Sequence, residues 1–176
     1  VYQERCEEAR AEFRKKLALY RPSQVIYIDE SGIDSNETYP YGWSKKGERF
    51  WGSRPGKKRE RLSIIGALCE DKFFATMVYQ GYCTANLIAA WLEQFLLPQL
   101  QPGQVILMDN APFHNSRRIR ELIELAGCEL MYLPTYSPDL NPIEHWWHRV
   151  KTAIRKELPL QDFNVQKAAD AAFQYL

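Results

Sequence analysis

Apolar residues recur along this chain with two different periods, and the changes from one period to the other lay out its elements. Residues 1 to 20 are rich in Glu, Arg, Lys, Ala and Leu, all good helix formers, until Arg21-Pro22-Ser23 stops the run. A polar connecting helix over 1–22 is predicted. From Gln24 the pattern turns β-branched and aromatic, and Val25-Ile26-Tyr27-Ile28-Asp29-Glu30 reads as a strand ended by Ser31-Gly32. Side chains alternate faces along a strand, so Asp29 and Glu30 point oppositely and at most one of them serves a given site easily. Residues 34–61 interleave Gly42, Gly47, Gly52, Pro55 and Gly56 with Trp43, Phe50 and Trp51, which predicts a short hairpin with an extended loop.

Two further strands follow at 62–68 and 73–79, joined by the polar turn Cys69-Glu70-Asp71-Lys72. Leu87, Ile88, Trp91, Leu92 and Phe95 fall at helical spacing within 85–97, and Pro98 closes that helix. The remainder alternates: a strand at 104–108, a helix at about 116–126, a strand at 129–133 and a helix opening near Pro142. Such alternation implies parallel strands with covering helices, whereas the earlier strands read as antiparallel. The expected fold class is therefore α/β, a mixed central sheet flanked by helices, in one domain over 23–176.

Composition narrows this picture without redirecting it. At 176 residues and 45% hydrophobic content, the chain is long enough for one sizeable core and short for two. Its net charge of +1 gives no hint of a nucleic-acid partner, so any such hint must come from how the charges are distributed. Cys6, Cys69, Cys83 and Cys128 lie far apart with no C-x-x-C pair, which argues against a structural zinc site and for reduced thiols in a cytoplasmic protein. The most apolar stretch, 87–97, is broken by Glu93 and Gln94 and is too short to span a bilayer. No membrane partner and no secretion are expected. An opening at Val1 inside an already charged, helix-like run suggests a fragment of something longer.

Candidate chemistry begins at strand ends. Asp109 follows Val105-Ile106-Leu107-Met108 and precedes Asn110-Ala111-Pro112, which puts it at the carboxyl edge of a predicted parallel strand, where open α/β sheets bind ligands. Asp29 closes its own apolar run, and the two carboxylates converge if their strands are neighbours. At about 5 Å and an effective dielectric near 20, such charges repel by roughly 3 kcal/mol. A hard divalent cation such as Mg²⁺ offsets that cost, and phosphoryl chemistry is its usual work. A lone Asp at a strand end is as often a cap or turn residue. Glu144, in Asn141-Pro142-Ile143-Glu144, has a strong plain explanation: Asn141 suits an N-cap, Pro142 the first helical position and Glu144 a capping box. Periodicity alone favours capping over metal binding there. Glu144 and His148 share a helical face, so zinc ligation is geometrically open, but H-E-x-x-H is absent and no Cys or His elsewhere supports it, so His145 and His148 read as helix-surface histidines.

Three strings together carry more than their parts. Ile28-Asp29-Glu30-Ser31, then Met108-Asp109-Asn110-Ala111-Pro112-Phe113-His114, then Tyr136-Ser137-Pro138-Asp139-Leu140-Asn141-Pro142-Ile143-Glu144 with Trp147 and Val150-Lys151, resemble the signature blocks of the Tc/mariner superfamily, most of all its bacterial insertion-sequence branch. Asp109 and Glu144 are separated by 34 residues, the spacing of one major group in that superfamily. The resemblance implies a ribonuclease H-like fold and a DDE transposase catalytic domain. In it Asp29, Asp109 and Glu144 hold two Mg²⁺ or Mn²⁺ ions, roughly 3.5 to 4 Å apart. It further implies cleavage of transposon ends, transfer of the 3′-hydroxyl into target DNA at a TA dinucleotide, a homodimer on double-stranded DNA, and an amino-terminal helix-turn-helix region absent from this chain. Asn110 and His114 match the second block and are expected to shape the site or contact DNA. Two rivals remain open: a related nuclease without strand transfer, and a domesticated DNA-binding module.

Charge is uneven in one place. Lys45, Lys46, Arg49, Arg54, Lys57, Lys58, Arg59 and Arg61 face only Glu48 and Glu60, with Trp43, Phe50 and Trp51 interleaved. From charge alone a solvated hairpin is as good a reading as a DNA surface. In Tc/mariner relatives the corresponding segment reaches across a dimer to DNA, so the resemblance favours DNA contact by Lys45, Lys46, Arg49, Lys57, Lys58, Arg59 and Arg61, in a protein associated with the nucleoid. Arg117, Arg118, Arg120, Arg149, Lys151, Arg155 and Lys156 could flank the same cleft or be ordinary surface charge.

Overall fold

In a computed structural model, residues 6–35, 43–49, 51 and 60–176 are described. Five strands form one sheet in the order β3-β2-β1-β4-β5. Strands β1 (Val25–Asp34), β2 (Arg61–Cys69) and β3 (Lys72–Tyr79) are antiparallel neighbours, while β4 (Val105–Met108) and β5 (Glu129–Tyr132) run parallel to β1 and to β4 respectively. The mixed sheet inferred from the hydrophobic pattern is what forms.

Helices cover both faces of the sheet because its central strands are apolar on both. All four residues of β4 are buried: Ile106 and Met108 join a cluster with α2 (Ala85–Trp91) and α3 (Arg117–Leu125), whereas Val105 and Leu107 face Phe13 of α1 (Glu7–Leu17). Ile33, Leu62, Ile64 and Leu68 pack under α4 (Ile143–Glu157) and α5 (Val165–Ala172), through Trp147, Val150, Ile154, Val165 and Ala168. Each such side chain taken out of water contributes about 1.5 to 3 kcal/mol.

Four departures from the expected elements have local causes. Strand β1 does not stop at Ser31-Gly32; it continues to Asp34, because β2 pairs alongside it through Gly32↔Ser63 and Asp34↔Arg61. Asp29 therefore sits within its strand rather than at its end. The helix at 85–97 is regular only to Trp91, passes through one wider π-turn over Leu92–Leu96, and closes in a 3-10 turn over Leu97–Gln99. Trp91 anchors this bend: its indole N–H donates to the Ala75 carbonyl at 2.7 Å, where β3 bulges and Ala75 adopts φ +50.

The opening helix is the third departure. It ends at Leu17 rather than at 22 and is docked: Phe13 is buried, and the buried Arg10 guanidinium grips both carboxylate oxygens of Asp139 at 3.0 and 2.6 Å. Finally, residues beyond 157, to which the sequence assigns no role, supply α5, whose alanine face packs on α4. The hairpin between β1 and β2 is closed by Ser35 N–H donating to Glu60 O at 2.8 Å; much of its loop, including Lys57, Lys58 and Arg59, lies outside the described residues.

Candidate active site

Parallel pairing of β1 with β4 matches Val25 to Val105, Ile26 to Ile106 and Tyr27 to Leu107. Two positions further on, the same register brings Asp29 level with Asp109, at the point where β4 ends and its chain turns away. The third acid arrives on α4. Trp147, 3% exposed, sets that helix against the sheet: its ring meets Phe73 edge-on at 5.4 Å and its indole N–H donates to Asp29 Oδ2 at 2.8 Å. Glu144 lies three residues earlier on the same helical face, so the contact that fixes Trp147 also holds Glu144 beside Asp29. Asp29, Asp109, Asn110, Asn141 and Glu144 line one pocket of about 340 Å³.

The capping explanation for Glu144 does not hold for the side chains. Asn141 is extended and Pro142 helical, as a cap and first helical residue would be, but no side chain caps the helix. Asn141 is 5% exposed and its side-chain oxygen is buried with no hydrogen-bond partner, inside the pocket wall. An orphaned buried acceptor costs roughly 1 to 3 kcal/mol, a cost that a donor or cation entering the pocket would offset. Glu144 itself is exposed, with no hydrogen bond or ion pair to a described residue.

Each of the other two acids is held by a neighbour. Burial pushes the Asp29 carboxyl up to about 7, against the opposing Trp147 hydrogen bond and with help from the nearby charges of Glu30 and Glu144. Asp109 is held below the usual carboxylate range by His114, whose Nδ1 lies 2.5 Å from Asp109 Oδ1. Ala111 N–H donates to the same oxygen at 3.0 Å. For His114, burial lowers the imidazole, but hydrogen bonds to Asp109 and Glu30 outweigh it and raise the group to about 10. Held this way, no three acidic, His or Cys side chains among the described residues converge tightly enough to grip a metal ion. The donor set nevertheless suits a hard divalent cation, being oxygen throughout: three carboxylates and the orphaned amide oxygen of Asn141.

The remaining expected residues are distributed differently. Asn110 is exposed at the pocket rim, its side-chain oxygen accepting from Asn115 at 2.8 Å. His114 is wholly buried and offers DNA no surface. Lys45, Lys46 and Arg49 are exposed, Arg49 lying 4.9 Å over the Trp51 ring. Arg61 is exposed at the start of β2 and borders a separate groove of about 610 Å³ with Glu30, Ser63 and Cys83. That groove is larger but has a single carboxylate, whereas the smaller pocket gathers three. His145 and His148 are exposed on α4. Sequence reasoning missed the Glu30 to His114 contact and the unpaired oxygen of Asn141. Strand alternation does place Glu30 opposite Asp29, but a partner 84 residues away leaves no local signal.

A family model described as DDE superfamily endonuclease matches residues 24–165. The chain belongs to that family. Among curated relatives, the Transposable element Tcb2 transposase of Caenorhabditis briggsae is 43% identical over 105 residues, covering 60% of this chain and 35% of the relative. The Insertion element IS630 uncharacterized 39 kDa protein of Shigella sonnei is 25% identical over 134 residues, covering 75% and 39%. The Tc/mariner and insertion-sequence resemblance read from the three motifs is thus borne out, and the chain spans between a third and a half of these relatives' length. Among solved structures, the Mos1 Strand Transfer Complex superposes with TM-score 0.64 at 21% identity, covering 84% of this chain and 45% of that one. The Mos1 mariner paired end complex with Mn does so with TM-score 0.66 at 18% identity, covering 87% and 50%. The DDE endonuclease chain has the ribonuclease H-like fold of these neighbours. Among its described residues no helix is long and apolar enough to cross a membrane.

Proposed function

We propose that this DDE endonuclease chain is the catalytic domain of a DNA transposase that cuts transposon ends and joins them to target DNA. The observation that supports this most is the gathering of Asp29, Asp109 and Glu144, each from a separate motif, around one pocket beside the end of β4. Divalent cations, Mg²⁺ or Mn²⁺ and two per site, would be held by those carboxylates and would stabilise the attacking and leaving oxygens. Asp29, within β1, and Asp109, just past the end of β4, orient the site from the sheet. Glu144 closes it from α4, and Trp147 fixes that helix by its bond to Asp29. Asn141 offers its unpaired oxygen to the same space. Water attacks the phosphodiester first, releasing a 3′-hydroxyl that then attacks target DNA, with no covalent protein intermediate. A Mos1 complex with Mn and a Mos1 strand transfer complex among the structural neighbours support both the metal and the reaction. The test is to incubate the full-length protein with its element's ends, Mg²⁺ and a target plasmid. Cleavage with strand transfer is expected; cleavage alone would favour the nuclease, and neither would favour a non-catalytic module.

Metal binding should be visible without DNA. At about a hundredfold excess over its dissociation constant a cation that binds only the folded state stabilises by ~2.7 kcal/mol. For a chain of this size that raises the melting temperature by about 5 to 10 °C. The shift is expected with Mg²⁺ and with Mn²⁺ and is expected to vanish in Asp109→Ala. A shift that survives that substitution would place the ion elsewhere.

The basic segment is proposed to grip DNA phosphates from a homodimer. Each phosphate contact gives a salt slope of about −0.9 on duplex DNA, so changing Lys57, Lys58 and Arg59 to Ala should flatten log affinity against log salt by roughly two to three. Sequence preference should hardly move, since phosphate contacts do not read bases. An unchanged slope with lost dimerisation in sedimentation would make the segment a subunit contact instead.

A further inference from the structure

Glu30 follows Asp29 in sequence but faces the opposite side of β1, away from the pocket. Its carboxylate is nevertheless connected to the pocket through one ring. His114 Nε2 lies 2.9 Å from Glu30 Oε1 and His114 Nδ1 lies 2.5 Å from Asp109 Oδ1, with the imidazole 0% and the Glu30 side chain 14% exposed. Ionised carboxylates only accept, so both ring nitrogens donate. The Cys83 thiol adds a weak bond to the same Glu30 oxygen at 3.8 Å. The backbone carrying the ring is tied as well, since Tyr132 O–H of β5 donates to the His114 carbonyl at 3.1 Å.

The consequence falls on Asp109. Its side chain is half exposed just past a strand end, where a carboxylate would otherwise turn freely. The two bonds it accepts from described residues, from His114 and from Ala111 N–H, both go to Oδ1. Oδ2 is left to ligate. Without Glu30 the ring loses its second anchor and either leaves a buried N–H unpaired or gives up that proton, and in both cases it holds Asp109 less firmly. Glu30 supplies the acceptor for that N–H from the central strand of the sheet, the most rigid support available.

The geometry points to Glu30 as a positioning residue that acts through His114 to hold the Asp109 carboxylate with one oxygen free for the metal. This rests on Asp109 being a metal ligand, as proposed above. A bridge serving stability alone would have a different signature, because its loss would lower the melting temperature without altering metal affinity in molecules that remain folded.

The test is Mn²⁺ titration of the chain, free Mn²⁺ being followed by electron paramagnetic resonance, at a temperature where each variant is folded by circular dichroism. Glu30→Leu keeps the volume but accepts no hydrogen bond. It is expected to weaken Mn²⁺ binding by about ten- to a hundredfold, the usual consequence of removing a partner that orients a metal ligand. Glu30→Gln, whose amide oxygen still accepts from Nε2–H, is expected to recover most of that loss. In a His114→Ala background, Glu30→Leu should add nothing further, because its effect travels through the ring. Glu30→Ala is measured alongside, so that a folding failure of either variant leaves the other to decide. Parent-like affinity in folded Glu30→Leu or Glu30→Ala, with Asp109→Ala impaired, overturns the positioning role and leaves the metal reading standing. Parent-like affinity in Asp109→Ala overturns both.

Discussion

Glu144→Gln is expected to abolish end cleavage and strand transfer while leaving the melting temperature close to the parent's. The side chain is exposed and bonds to no described residue, and an amide of the same volume costs a surface position within about ±0.5 kcal/mol. The amide ligates a divalent cation poorly. Losing one transition-state contact commonly costs about a hundred- to a thousandfold in rate, and a lost metal ligand costs at least that. Asp29→Ala and Asp109→Ala should fall as far, although with some effect on the fold, since both make hydrogen bonds. The measurement is the rate of nicking of an end-labelled duplex by the full-length protein, with circular dichroism on the same samples. Near-parent nicking by Glu144→Gln would falsify its catalytic assignment.

Asp29→Asn should do the opposite to stability. In the absence of metal the Asp29 carboxyl stands at about 7 in the folded chain against 3.8 for a freely solvated aspartate, chiefly through burial. A group whose folded value is raised contributes stability that is full below about pH 4 and is lost as pH rises through about 7. Above that window the folded chain carries a charge it disfavours, at a cost of about 2 to 4 kcal/mol. Asparagine removes the charge and still accepts from the Trp147 indole. The variant is therefore expected to melt about 5 to 10 °C above the parent at pH 8 with chelator present, and by much less at pH 4. Calorimetry at the two pH values checks this, and equal melting temperatures at pH 8 would mean that Asp29 is not under strain. Added Mn²⁺ should reverse the order, stabilising the parent but not the variant, which is how a site that sacrifices stability for function behaves.

The two expectations share a cause. In the metal-free fold Trp147, from α4, offsets part of the burial cost of the Asp29 charge, and His114, from the turn after β4, favours the charge on Asp109. Two hydrogen bonds thereby substitute for part of what a cation would supply, and they also fix where each carboxylate stands before any cation arrives.

Much of this was legible in the chain itself. The β-branched and aromatic run at 25–28, the apolar run at 105–108 and the helical spacing within 85–97 depend on neighbours in sequence, and for that reason strands, helices and a mixed sheet could be read directly. The three acidic motifs were legible for the same reason, each being a short string whose order and spacing do not require a structure. Tertiary pairing decided the rest. Gly32 looked like a strand end because glycine weakens an isolated strand, yet β2 hydrogen-bonds past it and carries the strand on to Asp34. Asn141 looked like a cap, yet its side chain is buried in the pocket wall with its oxygen unpaired. Arg10 meets Asp139 across 129 positions and His114 meets Glu30 across 84. Which residue faces which at such separations is set by sheet register and helix docking, and those are properties of the packed molecule that no local period encodes.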